Sequence, residues 1–357
     1  MRRRRVGHPE HHGATVNAIA ATLRIAVVGA TSLIGEAVID EIGSRKIEYS
    51  ELHALEDARD IGAQTGAADR KIEVGAIDAF DFSRVDLVFF CSRAAVAERY
   101  AEAAARHAWV IDSSSAFRGR SEVPLVAVDV NAGVLARQSM RGLIALPGSA
   151  SVALATALAP LHAAAGLERV EVATYHAVSG RGRAAMEALA AETVALLSGK
   201  KAAGRSFGRQ IAFNVIPLVD DLGADGMSRE EARMIAETRR VLGLPDLQIN
   251  ITAVRVPVFF GHGLAVHVRL ERELSAAAAA AMLHSSNGLS VIEPDSAAQV
   301  PTPAVLASAP DQVYVGRIRT DPSRDRSLNF WVMADNVRKC AAHNAVSAAQ
   351  ILVNGSQ

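Results

Sequence analysis

The segment Gly29-Ala30-Thr31-Ser32-Leu33-Ile34-Gly35 carries the most explicit chemistry in the chain. Gly29 permits a tight turn and Gly35 permits close helix packing. The N–H groups of Thr31, Ser32, Leu33 and Ile34, at a helix start, are suited to pyrophosphate oxygens. Glu56, Asp57 and Asp60 follow about twenty residues later, where a carboxylate accepts hydrogen bonds from ribose hydroxyls and favours NAD. Arg59 beside them can pair with a 2′-phosphate and favours NADP, so the choice between NAD and NADP stays open, as does a plain solvated turn. Ser149, in Pro147-Gly148-Ser149-Ala150-Ser151, precedes an apolar helix and reads as an N-cap, a ligand-binding hydroxyl or a base-activated nucleophile. His262 lies between two glycines, as an acid/base group beside a ligand or an ordinary loop histidine. Glu230 and Arg233 are spaced to share a helix face and pair, and Ser228 with Glu231 forms a capping-box pattern.

These groups need elements to position them. Leu23 to Gly29 is a continuous apolar strand pattern, and Ile34, Val38 and Ile42 mark one face of the helix that follows. Further strand patterns at Glu51 to Leu55, Asp86 to Cys91 and Trp109 to Asp112, with a helix at Ala94 to Arg106, have the rhythm of a parallel sheet. After residue 146 the texture changes. Val152 to Ala165 reads as a helix, Val170 to Tyr175 as a strand, and Gly182 to Leu197 as a helix. Leu247 to Val258 with Gly261 to Leu270 reads as a long antiparallel pair. The expected fold is α/β: a Rossmann-type parallel-sheet nucleotide-binding domain and an α+β domain.

Composition narrows the function. The 357 residues are half apolar, with 38 basic and 38 acidic side chains. A balanced charge with scattered arginines excludes a nucleic-acid footprint. The longest apolar runs fall short of the ~20 residues that cross a bilayer, so no membrane partner is expected. Two cysteines, Cys91 and Cys340, exclude a disulfide framework and fit a reducing cytoplasm; both read as packing residues. Residues 1–21 are basic and read as a disordered tail. Its His8, His11 and His12 lack a fixed geometry, so no metal site is expected.

From residue 23 to 353 the sequence resembles the aspartate-semialdehyde dehydrogenase family, and most of all its Usg-type homologues that lack the usual nucleophile. The resemblance is carried by GATSLIG (29–35), SSSAFR (113–118), ALPGSAS (145–151), TYHAVSGRG (174–182), AFNVIP (212–217), SREEARMIAETRRVL (228–242), VRVPVFFGHG (254–263), PTP (301–303), VGRIR (315–319) and DNVRKCAAHNAV (335–346). It implies a nucleotide-binding domain at 22–148 completed by a C-terminal helix at 336–357, and a catalytic and dimerisation domain at 149–335. It also implies a homodimer and the reductive dephosphorylation of aspartyl phosphate.

In that family a cysteine at a helix start attacks the acyl phosphate, and Ser149 stands at its position. The resemblance further assigns His262 to acid/base work, Arg255 to the substrate carboxylate, Arg118 to phosphate with Asn131 in the segment after it, and Glu230 to the substrate amino group. Arg233 replaces a lysine and keeps its charge. Ser179, Gly180 and Asn336 fall beside the nicotinamide. Three departures add to Ser149: His176 stands for glutamine, Ser32 for the middle glycine of the loop, and Cys91-Ser92-Arg93 for a glycine-rich turn. Cationic groups for a small anionic ligand persist while the sulfur that would start covalent chemistry is gone. The leading expectation is therefore a pseudoenzyme with cysteine-dependent turnover lost or strongly reduced. The alternatives are an active NAD(P)-dependent reductase of aspartyl phosphate or a related substrate and, remotely, a Ser149–His262 hydrolase.

Overall fold

Leu23–Val28, apolar apart from Arg24, makes the strand β1, whose last four side chains are buried. The computed structural model describes residues 22–57, 61–66, 71–138, 140–202, 204, 206–293, 300–306 and 311–355. Arg59, Asp60 and the tail with its histidines lie outside them.

After β1 come α1 (Leu33–Ser44), β2 (Tyr49–Glu56), β3 (Gln64–Thr65), β4 (Ile72–Ala76), β5 (Leu87–Phe90), α2 (Ala94–Ala105), β6 (Trp109–Asp112), α3 (Val128–Asn131) and β7 (Leu143–Ala145). Their strands form one sheet in the order β3-β4-β2-β1-β5-β6-β7, parallel apart from β3. With β1 at the point where strand order reverses, the carboxyl ends of β1 and β5 open a crevice for a ligand. This is the Rossmann-type half of the α/β fold.

The rest comprises α4 (Ser149–Ala165), β8 (Leu167–His176), α5 (Arg183–Leu197), α6 (Arg229–Leu242), β9 (Gln248–Arg255), β10 (His262–Leu270), α7 (Ala276–His284), β11 (Leu289–Ile292), α8 (Pro303–Leu306), β12 (Val313–Thr320), β13 (Ser327–Ala334) and α9 (Asn344–Gly355). A second, mixed sheet runs β11-β12-β13-β10-β8-β9. The alanine-rich α4 packs between this sheet and α6 in the larger apolar core. The last helix returns to the first sheet: Ala345, Val346, Ala349 and Leu352 share a core with Ile25 and Val27.

The structure corrects two expectations about these elements. The segments read as a long antiparallel pair are not paired. The strand β8 lies between them, parallel to β9 and antiparallel to β10, and its backbone pairs along both edges. The C-terminal segment is not one regular helix. Arg338–His343 is wound as a π-helical turn before α9 begins, and it carries the buried Lys339, whose ammonium pairs with Asp129 at 2.9 Å. No helix among the described residues is long and apolar enough to cross a membrane.

Candidate active site

The glycine loop is built as its residue types require. A side chain on Gly29, at φ +80°, would strike the backbone of Cys91 and Ser92 at 2.7 Å. One on Gly35 would meet the Gly29 carbonyl at 2.1 Å. Both glycines are thus fixed by close backbone approach, which leaves a cradle that fits a pyrophosphate. Ser32 caps α1: its hydroxyl accepts from the Gly35 N–H and donates to the Cys91 carbonyl, both at 2.9 Å. The hydroxyl thereby ties the loop to the end of β5 where the family's glycine would leave space. The Thr31 N–H donates to the Glu56 carboxylate at 2.9 Å and the Ser32 N–H to the Gly29 carbonyl at 3.0 Å. Of the expected donors, Leu33 and Ile34 at the first turn of α1 have no intrahelical acceptor for their N–H groups. Glu56 faces the loop, and its neighbour Asp57 pairs with Arg93 at 2.5 Å.

Ser149 is the first residue of α4, and Gly148 is its cap, with no side-chain capping bond. The N-cap expectation for Ser149 is therefore corrected. Its hydroxyl donates to the backbone carbonyl of Asn336 at 2.8 Å instead of accepting from the helix. Asn336 holds the other side of this junction, its Oδ1 accepting from the Gly261 N–H at 3.0 Å and from Ser179 Oγ at 3.2 Å. Next to Ser149, Glu237 of α6 is buried and one of its oxygens accepts from Gly148 N–H and Ser151 Oγ, each at 2.7 Å. Arg118 faces the other Glu237 oxygen at 3.5 Å and donates to the Ser113 carbonyl at 2.8 Å. Glu237 and the equally buried Glu192 of α5 were missed in the sequence. Their one legible signal was an acid in the apolar register of a helix, which ordinarily marks a solvated edge.

The strands β8 and β9 bring His176 and Arg255 side by side as register partners. Arg255 donates from Nη1 to the Ala177 carbonyl at 2.7 Å. The His176 and His262 rings lie 4.6 Å apart and both are buried. Burial, and then the Arg255 charge, pull the His262 imidazole down to about 3. Burial, His262 and Arg255 hold His176 well below the usual range. Both rings are neutral at ordinary pH. His262 Nδ1 accepts the Ala177 N–H at 3.2 Å, which places the ring proton on Nε2. His176 Nε2 is buried without a partner among the described residues. Gly180 lies against both functional groups: a side chain there would start 3.3 Å from Arg255 Nη1 and from His262 Nε2.

Glu230 and Arg233 do not pair as their spacing suggested. Arg233 turns to Asp220, because the capping box at Ser228 and Glu231 sets the first turn of α6 and directs Glu230 inward. Burial and then the Glu237 carboxylate push the Glu230 carboxyl above its usual range, against the pull of Arg118, Arg233 and Arg255. Asn131 bonds only its own turn, to the Ala127 N–H and the Leu125 carbonyl. Cys91 and Cys340 are buried, and burial pushes both thiols up, so neither supplies thiolate. Among the described residues no cluster of three or more His, Cys, Asp or Glu is placed to hold a metal.

The chain matches two family models, the semialdehyde dehydrogenase NAD binding domain over residues 24–138 and the semialdehyde dehydrogenase dimerisation domain over 158–339. It is 39% identical over 331 residues to an aspartate-semialdehyde dehydrogenase of Legionella pneumophila, covering 92% of this chain and 95% of that one. The structure of aspartate semialdehyde dehydrogenase II from Vibrio cholerae complexed with ASA superposes with a TM-score of 0.89 at 36% identity, covering 93% of this chain and 98% of that one. The Candida albicans aspartate semialdehyde dehydrogenase with NADP shares the fold, with a TM-score of 0.71 at 21% identity over 94% and 99% of the two chains.

Proposed function

The chain belongs to the aspartate-semialdehyde dehydrogenase family, and from that membership we propose that it retains nucleotide and anion binding while cysteine-dependent turnover is lost or strongly reduced. It carries the NAD(P)-binding domain of this oxidoreductase family of amino-acid biosynthesis. The observation that carries the proposal is Ser149 at the start of α4 with its proton committed to the Asn336 carbonyl. A thiol at a helix N-terminus ionises readily, whereas a serine hydroxyl needs a base. The Asn336 carbonyl takes no proton, and His262, with its proton on Nε2, presents a donor rather than a base. That tautomer also argues against the Ser149–His262 hydrolase. An oxoester formed at Ser149 would moreover accept hydride less readily than a thioester.

The remaining groups are suited to binding. Arg118, beside Gly148, would hold phosphate; Arg255 would hold a carboxylate; Glu230 would face an amino group; His262 Nε2–H would donate to a carbonyl oxygen. Gly29 and Gly35 would seat the dinucleotide near Ser179, Gly180 and Asn336, and the nicotinamide, when bound, supplies or accepts hydride. We read the chain as a Usg-type homologue, a cytoplasmic homodimer divided at 22–148 and 149–335, with 336–357 completing the first domain. The second reading, an active reductase, is favoured by the retention of Arg118, Arg255 and His262 and by the enzyme names of the relatives. Calorimetric titration with NAD, NADP and phosphate, run beside a turnover assay, tests the proposal. Binding without turnover is expected. Turnover of aspartate semialdehyde, or silence in every titration, would contradict it.

A further inference from the structure

Two arginines, one of them Arg255, approach the same aromatic ring. The guanidinium of Arg181 lies 5.7 Å from the centre of the Phe207 ring, and that of Arg255 lies 5.8 Å from it. Phe207 is not a loose cover. The buried carboxylate of Glu192 accepts from the N–H groups of Gly204, Ile211 and Ala212 at 2.8 to 3.2 Å, which fixes both ends of the turn that presents the ring. The ring itself packs against an apolar cluster that includes Leu189 and Ile216.

The two cations differ in what holds them. Arg255 is buried, anchored to the Ala177 carbonyl and within the field of Glu230. Arg181 is exposed and has no carboxylate partner among the described residues, whereas Arg183, two positions on, pairs with Glu36 at 2.7 Å. A second group in the cleft is also unsatisfied: His176, the register partner of Arg255, keeps Nε2 buried and without a hydrogen bond. The Gly180 backbone lies so close to Arg255 and His262 that a side chain there would crowd both at 3.3 Å. One carboxylate would satisfy Arg255 and leave Arg181 idle.

We propose that Arg181 and Arg255, aligned on Phe207, form a two-guanidinium clamp that selects a small dicarboxylate over a monocarboxylate. Each guanidinium offers paired donors to one carboxylate, and both lie against one fixed ring, so the second acidic group is recognised by position as well as charge. This rests on reading the cleft as an anion site and deepens it by naming the ligand class.

The test is calorimetric titration of the full chain and of Arg181→Gln with butyrate and with succinate. For the wild-type chain, succinate should bind at least about tenfold more tightly than butyrate. Arg181→Gln, an exposed substitution, should erase that preference by weakening succinate far more than butyrate, while Arg255→Lys should weaken both. A succinate preference that survives Arg181→Gln, an equal loss of both ligands, or no preference in the wild-type chain would overturn the clamp. A loss confined to NADP, titrated alongside, would also overturn it by assigning Arg181 to the dinucleotide. If the clamp behaves as stated but the wild-type chain turns over aspartate semialdehyde, the function proposed above fails and the clamp stands.

Discussion

The Ser149 hydroxyl and the Asn336 backbone carbonyl meet at 2.8 Å across the junction between the start of α4 and the turn before the last helix. The contact fixes the hydroxyl proton on an acceptor that cannot remove it. It also joins the start of α4 to the segment that leads into α9. Asn336, held by Gly261 and Ser179, makes the carbonyl's position a property of three segments rather than of one loop.

The same geometry predicts that Ser149 is an ordinary alcohol. A fluorophosphonate probe, which labels base-activated serines, should leave it unmodified, as read by mass spectrometry of the intact chain. Stoichiometric labelling at Ser149 would mean that His262 works as a base and that its Nε2 is unprotonated.

The paired imidazoles predict acid sensitivity. Both have folded-state values below the unfolded value of 6.5, His262 at about 3. Below 6.5 the unfolded chain takes up protons that the folded chain refuses. Stability is then fully present above that value and falls as pH drops toward 3, by about 1.4 kcal/mol per pH unit for each ring. Urea unfolding at a series of pH values should show that His176→Gln removes about half of this slope. An unchanged slope would show that the ring is protonated in the folded chain.

Gly35 is predicted to be irreplaceable. Gly35→Ala places a methyl 2.1 Å from the Gly29 carbonyl, so α1 must move away from the loop. A loss of about 2 to 3 kcal/mol of stability and of dinucleotide binding is expected from denaturant melts and calorimetry. Retention of both would show that the loop adjusts freely.

Glu237 is predicted to matter as much as the arginine it faces. Glu237→Ala leaves the Gly148 N–H and the Ser151 hydroxyl without their acceptor and removes the carboxylate that faces Arg118. It should cost about 3 kcal/mol of stability and, by removing a competing negative charge from beside Arg118, tighten phosphate binding there. Glu237→Gln keeps an acceptor for the helix start, so most of the stability should return while the change at Arg118 remains. Identical behaviour of the two variants would remove the carboxylate's charge from the account.

Much of this was legible in the residue pattern. Continuous apolar strands, the glycine spacing and the Ser228–Glu231 box all act locally, and the structure places them as read. The errors lie where partners are distant in sequence. Period-two alternation in β9 and β10 says that each is a strand but not that β8 separates them. Ser149 has the composition of a cap, but its partner is 187 residues away, and a long-range acceptor outcompetes the local one. Glu192 and Glu237 were not singled out because the backbone donors that bury them are supplied by other segments.

The most direct test compares the wild-type chain with Ser149→Cys for phosphate-dependent NAD(P)H formation from aspartate semialdehyde. The account predicts no measurable turnover for the wild-type chain and a gain of turnover when the thiol is installed beside the Asn336 carbonyl. Robust turnover by the wild-type chain, with no gain in the cysteine variant, would contradict it.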